Sequence, residues 1–123
     1  MKSDILIIIF FGILLVTLID SLGSVISRRF NFNYGWFIIF SILIYTLIPY
    51  YLAKKTSFEI AFIANCLIGI YDATIGHKIS IILKANIGAS KDDDPKITLT
   101  IRLIIMILLS LILTYLGYTL GNN

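Results

Sequence analysis

The chain has 123 residues, of which 59% are hydrophobic and only 14% are charged, and its formal net charge is +3. Soluble domains carry roughly 25% charged residues, so this composition cannot cover the surface of a water-soluble fold. The basic residues flank long apolar blocks, as in membrane proteins, and no basic cluster interleaved with aromatic residues suggests a nucleic-acid partner. The sequence predicts a single all-α domain, residues 1–123, whose solvent is the lipid bilayer.

Four apolar blocks follow one another along the chain, and each is long enough to cross a bilayer core of about 30 Å as a helix. The blocks cover residues 5–26, 34–52, 58–83 and 97–120. We expect helices despite the many isoleucines, because backbone N–H and C=O groups inside lipid must be paired within the segment. Since the connections are short, the sequence predicts an antiparallel, up-and-down four-helix bundle.

The lysines and arginines predict an orientation, because cytoplasmic loops carry an excess of both. Seven lie in or near the loops after the first and third blocks, and three lie on the opposite side. We therefore expect both termini outside and these two loops in the cytoplasm. The isoleucine- and asparagine-rich composition suggests the inner membrane of a bacterium. Basic residues at the cytoplasmic face are expected to contact anionic lipid headgroups: Arg28, Arg29, Lys78, Lys84 and Arg102.

Reaction motifs are absent from the sequence. It contains no Walker motif, no GxSxG and no HExxH, and one histidine with one cysteine cannot form a typical transition-metal site. The run of three aspartates within residues 91–96 is interpreted as part of a solvated loop. We predict no catalytic residue, no cofactor and no metal.

Polar residues interrupt the first apolar block near its end. Asp20, Ser24 and Ser27 are spaced at i, i+4 and i+7, so they share one face of a helix. Gly23 lies among them and is predicted to allow close helix packing. One interpretation is an inward-facing polar site. The alternative places Asp20 near the membrane surface, paired with an arginine of the following loop.

The third block carries a second polar segment. Asp72 lies about fourteen residues into this block, and an ionisable side chain at that depth usually faces the protein interior or an aqueous cavity. Gly69 and Gly76 are predicted to let another helix approach closely. The alternative is a packing seam whose polar residues emerge at the cytoplasmic surface. Together the two segments predict a site for a ligand or a proton: Asp20, Ser24, Asp72, Thr74, His77 and Ser80.

The two polar segments resemble each other and suggest a 2+2 parallel internal repeat. Asp20 precedes Ser27 by seven residues, and Asp72 precedes Ser80 by eight, with a glycine inside each interval. Residues 41–47 and 110–116 also resemble each other faintly. Parallel repeats are related by an axis along the membrane normal, which would bring the two aspartates to one depth. If they meet, repulsion and desolvation favour a proton held between them and released near neutral pH.

Three functions remain open at this level. The leading hypothesis is a small transport or permeation protein, or a subunit of one, that forms a homo-oligomer because four short helices enclose little volume. The second is a non-transporting membrane partner or regulatory subunit, in which the glycine and serine faces are docking seams. The third is an intramembrane enzyme acting on lipid headgroups, with Asp72 and His77 as acid and base.

Overall fold

The computed structural model describes residues 2–86 and 99–123. Within these ranges the chain is helical and contains no strand. Four helices are long and apolar enough to cross a membrane, here called the first to fourth spans: Lys2–Phe30, Tyr34–Leu52, Phe58–Ile82 and Leu99–Asn122. They confirm the predicted all-α, four-helix architecture.

The ends of the spans lie close to the expected positions. The first span extends a few residues beyond both predicted ends, whereas the third ends at Ile82, one residue early. The second begins with the 3-10 turn Tyr34–Phe37, in which the Gly35 N–H donates to the side chain of Asn33, and continues as the α-helix Ile38–Leu52. The aspartate run and the first two residues of the predicted fourth block lie outside the described residues.

The third span is not a uniform α-helix. The α-helix Phe58–Tyr71 is followed by the π-helical segment Asp72–Gly76 and then by the α-helix His77–Ile82. A π-helical turn accommodates one more residue than an α-helical turn, and such segments occur frequently at functional sites. The π-helical segment therefore occupies the place where the second polar sequence has its additional residue.

The first and third spans close in the same way. Asn31 and Lys84 have left-handed backbones, with φ of 55° and 54°, and each follows Ser27 or Ser80 by four residues. In both cases the next N–H donates to the carbonyl of that serine, at 3.1 Å and 2.9 Å, as in a Schellman motif. The two ends are alike, because the π-helical segment takes up the additional residue before the helix closes.

The packing of the spans limits how far this likeness extends. In the described residues the first span packs against the second and third, and the fourth packs against the same two. Among the described residues the backbones of the first and fourth spans do not approach each other, whereas those of the second and third spans do. The two halves are therefore not related by an exact two-fold axis.

The second and fourth spans approach each other most closely at one end of the bundle. Gly117 and Gly121 lie directly against the carbonyl oxygens of Thr46 and Tyr50, so that a β-carbon at either glycine would overlap the backbone. Small residues permit this close helix contact within a membrane. At the other end of the same two spans a cavity opens between them, and Asp20 of the first span and Asp72 of the third line that cavity.

Candidate functional site

Asp20 and Asp72 lie at the same depth in the bundle. Each is ten residues before the last residue of its span, Phe30 or Ile82, which corresponds to about 15 Å along an α-helix. Asp20 is only 5% exposed, and Asp72 is half-buried. Neither carboxyl group therefore lies at the end of its helix, where the alternative interpretation would place it.

The two carboxyl groups meet beside Gly76. A β-carbon at this glycine would lie 2.8 Å from Asp72 Oδ1 and would also overlap Asp20 Oδ2. Both groups therefore lie against the same glycine, although they belong to neighbouring spans. The absence of a side chain at position 76 is therefore what allows the first and third spans to bring their aspartates together.

Two tyrosines of the second span hold the outer oxygens of this pair. The Tyr34 hydroxyl donates to Asp20 Oδ1 at 2.6 Å, and the Tyr45 hydroxyl donates to Asp72 Oδ2 at 2.6 Å. No lysine or arginine among residues 2–86 and 99–123 forms an ion pair with either carboxylate. The pair is therefore oriented by the hydroxyl groups of two neutral phenols.

One oxygen of the pair lacks a donor. Asp20 Oδ2 is buried and has no hydrogen-bond partner within the described part of the chain. Like charges close to each other repel, and buried charges are expensive unless they are paired. The pair of Asp20 and Asp72 is therefore a place where a positive charge is strongly stabilised.

Two cavities adjoin the carboxyl pair. The larger, of about 290 Å³, lies between the second and fourth spans. Its wall is mostly apolar and aromatic: Tyr34, Gly35, Phe37, Ile38, Ser41, Tyr45, Met106 and Leu109, with Asp20 and Asp72. The smaller, of about 170 Å³, lies towards the Ile82 end of the third span and is also lined by His77, Ser80 and Arg102. Both cavities reach the two carboxyl groups from different sides.

The segment after the third span fixes the position of Tyr34. Asn86 accepts a hydrogen bond from the Tyr34 backbone N–H at 2.6 Å and donates its own backbone N–H to Ser27 Oγ at 3.1 Å. Its side chain donates to Asn31 Oδ1 at 3.2 Å. Asn86 thus ties the end of the third span to the connection between the first two, directly beneath the tyrosine that holds Asp20.

A second buried polar layer lies beyond Tyr45. Asn65 is fully buried, and its amide donates to the Tyr45 carbonyl at 2.9 Å and to Thr114 Oγ1 at 3.0 Å. Two side-chain oxygens, Asn65 Oδ1 and Ser110 Oγ, are buried without a hydrogen-bond partner in the described residues. This layer links the second, third and fourth spans and holds the helix that carries Tyr45.

Most of the other predicted polar side chains form hydrogen bonds with the helix backbone. Ser24 is buried, but its hydroxyl donates to the backbone carbonyl of Asp20 at 2.5 Å. Thr74 donates to the Ile70 carbonyl of its own helix. His77 and Ser80 line the smaller cavity, where the Ser80 hydroxyl donates to the His77 carbonyl at 2.7 Å. Ser24 and Thr74 therefore serve the helix backbone, and the structure brings only Asp20 and Asp72 into direct proximity.

The predicted packing glycines each have close neighbours. Gly23 lies against the rings of Tyr34 and Phe37, and a β-carbon at Gly69 would be 3.0 Å from Ser110 Oγ. Gly76 lies against the carboxyl pair, as described above. Gly12, Gly117 and Gly121 have equally close neighbours on other spans, although the spacing of polar residues did not indicate them.

The predicted headgroup residues fall into two groups. Arg28, Arg29, Lys78 and Lys84 are exposed. Arg102 is half-buried, lines the smaller cavity and donates from Nη1 to the Ala73 carbonyl at 3.4 Å. This hydrogen bond joins the start of the fourth span to the π-helical segment.

Sequence reasoning missed the tyrosines that hold the site. The position of Tyr34 near the start of an apolar block is equally typical of an aromatic anchor at the membrane interface, and Tyr45 and Asn65 are not among the predicted site residues. Hydrogen-bonding side chains in the middle of apolar blocks were the available signal, since such groups need partners inside a membrane. Comparisons with known proteins found no matching family model, no matching curated protein and no matching solved structure.

Proposed function

We propose that this chain is a small transport or permeation protein, or a subunit of one, that passes a positively charged species by way of Asp20 and Asp72. The observation that carries the proposal is the meeting of two carboxyl groups inside the bundle, with one buried oxygen lacking a donor. Ionisable residues in such positions mark ion pathways and proton relays in membrane proteins. The pair has no reason to be retained for stability alone, because it places like charges together.

The surroundings of the pair support transport over the alternatives. A non-transporting partner would be expected to hold its aspartates in dry seams, paired with basic residues, whereas here the donors are phenols and two cavities adjoin the pair. An enzyme using Asp72 and His77 would need the Asp72 carboxylate free to exchange a proton with a substrate. One oxygen of that carboxylate accepts from Tyr45, and the other faces Asp20.

Flux through proteoliposomes tests the proposal. We expect the native protein to carry protons or small cations down an imposed gradient, and Asp72→Asn or Asp20→Asn to reduce that flux to the level of empty liposomes. Asp4→Asn is the matched control, since Asp4 is half-exposed at the start of the first span, where it pairs with Lys55 at 3.8 Å. A native protein without flux, or flux unchanged in Asp72→Asn and Asp20→Asn, would contradict the proposal.

The predicted orientation and assembly belong to this proposal. Both termini outside would place the carboxyl pair in the cytoplasmic half of the bundle, on the side of the last turn of the first span, which contains Arg28 and Arg29. Many leucine and isoleucine side chains of the four spans are exposed, and they provide surfaces for lipid or for further copies of the chain. Reactivity of single cysteines in the connecting loops tests the orientation, and crosslinking in the membrane tests the homo-oligomer.

A further inference from the structure

The larger cavity has the composition of a binding site for an organic cation. Asp20 and Asp72 are the charged residues of its lining, and Arg102 lines only the smaller cavity. The rest of the wall consists of aromatic and apolar side chains with the Ser41 hydroxyl. A positive group is therefore attracted to one end of this cavity, and a hydrocarbon group is accommodated by the remainder.

We infer that this cavity binds a small organic ammonium ion, with the ammonium group against Asp20 and Asp72 and the carbon skeleton along Phe37, Ile38 and Met106. The inference rests on the proposed function and names the substrate class. Both aspartates line this cavity, and Asp20 is only 5% exposed. An ammonium group in the cavity brings a positive charge and N–H donors to these two carboxyl groups, and such charge-assisted hydrogen bonds are strong.

An inorganic cation fits the same cavity poorly. Hard metal ions in proteins take six or more oxygen ligands, and here the carboxylate oxygens and one serine hydroxyl face a wall that is otherwise apolar. Tyr34, Phe37 and Tyr45 line the cavity, and aromatic rings attract organic ammonium ions. The volume of about 290 Å³ lies at the lower limit of ligand pockets, so the substrate must be small.

Calorimetric titration of the detergent-solubilised protein with benzylammonium tests this inference. We expect saturable binding of benzylammonium, and binding weaker by roughly tenfold or more for benzyl alcohol and benzoate, which have nearly the same shape without the positive charge. Asp20→Asn with Asp72→Asn should weaken benzylammonium binding by at least about thirtyfold, because a buried charge pair is lost. Asp4→Asn should leave it unchanged.

A second variant keeps the test independent of the carboxyl groups. Ser41→Leu fills the wall of the larger cavity without touching either aspartate, and we expect it to abolish benzylammonium binding while helicity by circular dichroism stays native. Equal binding of benzylammonium and benzyl alcohol would identify a lipid-tail pocket and overturn the inference, as would displacement of benzylammonium by sodium at equal concentration. Charge flux in liposomes without benzylammonium binding would overturn the substrate class alone, whereas absence of both would also remove the proposed function.

Discussion

The position of Asp72 depends on a hydrogen bond that the Tyr45 hydroxyl donates. Tyr45 is 1% exposed and donates to Asp72 Oδ2. Tyr45→Phe should lower the free energy of unfolding by about 1–3 kcal/mol, the cost of leaving a buried acceptor unsatisfied. Thermal unfolding in detergent measures the change. Tyr115→Phe is the control, because Tyr115 is 62% exposed; equal effects of the two substitutions would show that the Asp72 bond contributes nothing.

The charge of Asp20 is predicted to lower the stability of the protein while it supports the flux. In Asp20→Asn the amide oxygen can still accept from Tyr34, while the amide nitrogen at the Oδ2 position can donate to Asp72. This change removes one of two like charges and satisfies the unpartnered atom. We expect the variant to unfold at a temperature equal to or above that of the native protein, measured by circular dichroism, although its flux is lost. A marked destabilisation would mean that the Asp20 charge is already compensated.

The aspartates could be predicted from the sequence, but their donors could not. An acidic residue deep in an apolar block has few explanations, so its inward orientation follows from the cost of exposing it to lipid. A tyrosine near the end of a block is equally suited to the interface, and one in the middle is suited to the core. The rotation of the second span about its axis turns both Tyr34 and Tyr45 towards the carboxyl pair. The sequence does not reveal this rotation.

At the scale of the helix, the π-helical segment Asp72–Gly76 explains the uneven spacing of the two polar sequences. Removing one residue from it should restore a continuous α-helix and leave the closure at Ser80 intact, but turn Asp72 away from Asp20 by about 100°. We expect deletion of Ile75, which is 48% exposed, to give a folded protein that has lost its flux. Circular dichroism and the liposome assay measure the two properties.

Deletion of Ile63 provides the matched control for that prediction. Ile63 is 57% exposed and lies in the regular α-helix Phe58–Tyr71 of the same span. Its removal rotates every later residue of the helix, including the buried Asn65 and Ile68, away from its neighbours. This variant should unfold at a much lower temperature than the Ile75 deletion. Equal unfolding temperatures of the two variants would show that the π-helical segment tolerates a deletion no better than the regular α-helix does.

The spans themselves follow from hydrophobicity, because lipid demands about 20 apolar residues per crossing and a helical backbone. The additional residue between Asp72 and Ser80 is also visible in the sequence. Its accommodation as a π-helical turn is not, since an extra residue can be absorbed by a turn, by a kink or by a shift of the whole helix. The contacts of Gly76 with both carboxyl groups require the π-helical turn, and these contacts arise only after the spans have packed.

At the scale of the whole molecule, the gap between the second and fourth spans has the shape of a wedge. The two spans are in contact at Gly117 and Gly121 and are separated at the larger cavity. In a Cys66→Ala background, Ser41→Cys should react with a cationic, water-soluble methanethiosulfonate from one side of the membrane, and benzylammonium should slow the reaction. Leu113→Cys is the control, because Leu113 is 6% exposed within the apolar core. Reaction at equal rates would contradict the wedge.

Both tyrosines that donate hydrogen bonds to the carboxyl pair belong to the second span. Tyr34 and Tyr45 are eleven residues apart on the second span, or roughly 16 Å along its axis, and they reach the pair from above and below. A movement of this span that breaks one of the two tyrosine bonds also displaces the other tyrosine, so the two carboxyl groups cannot exchange these partners independently. Asn86 holds the span near its first residue and Asn65 holds it near its middle, so such a movement must strain these contacts as well.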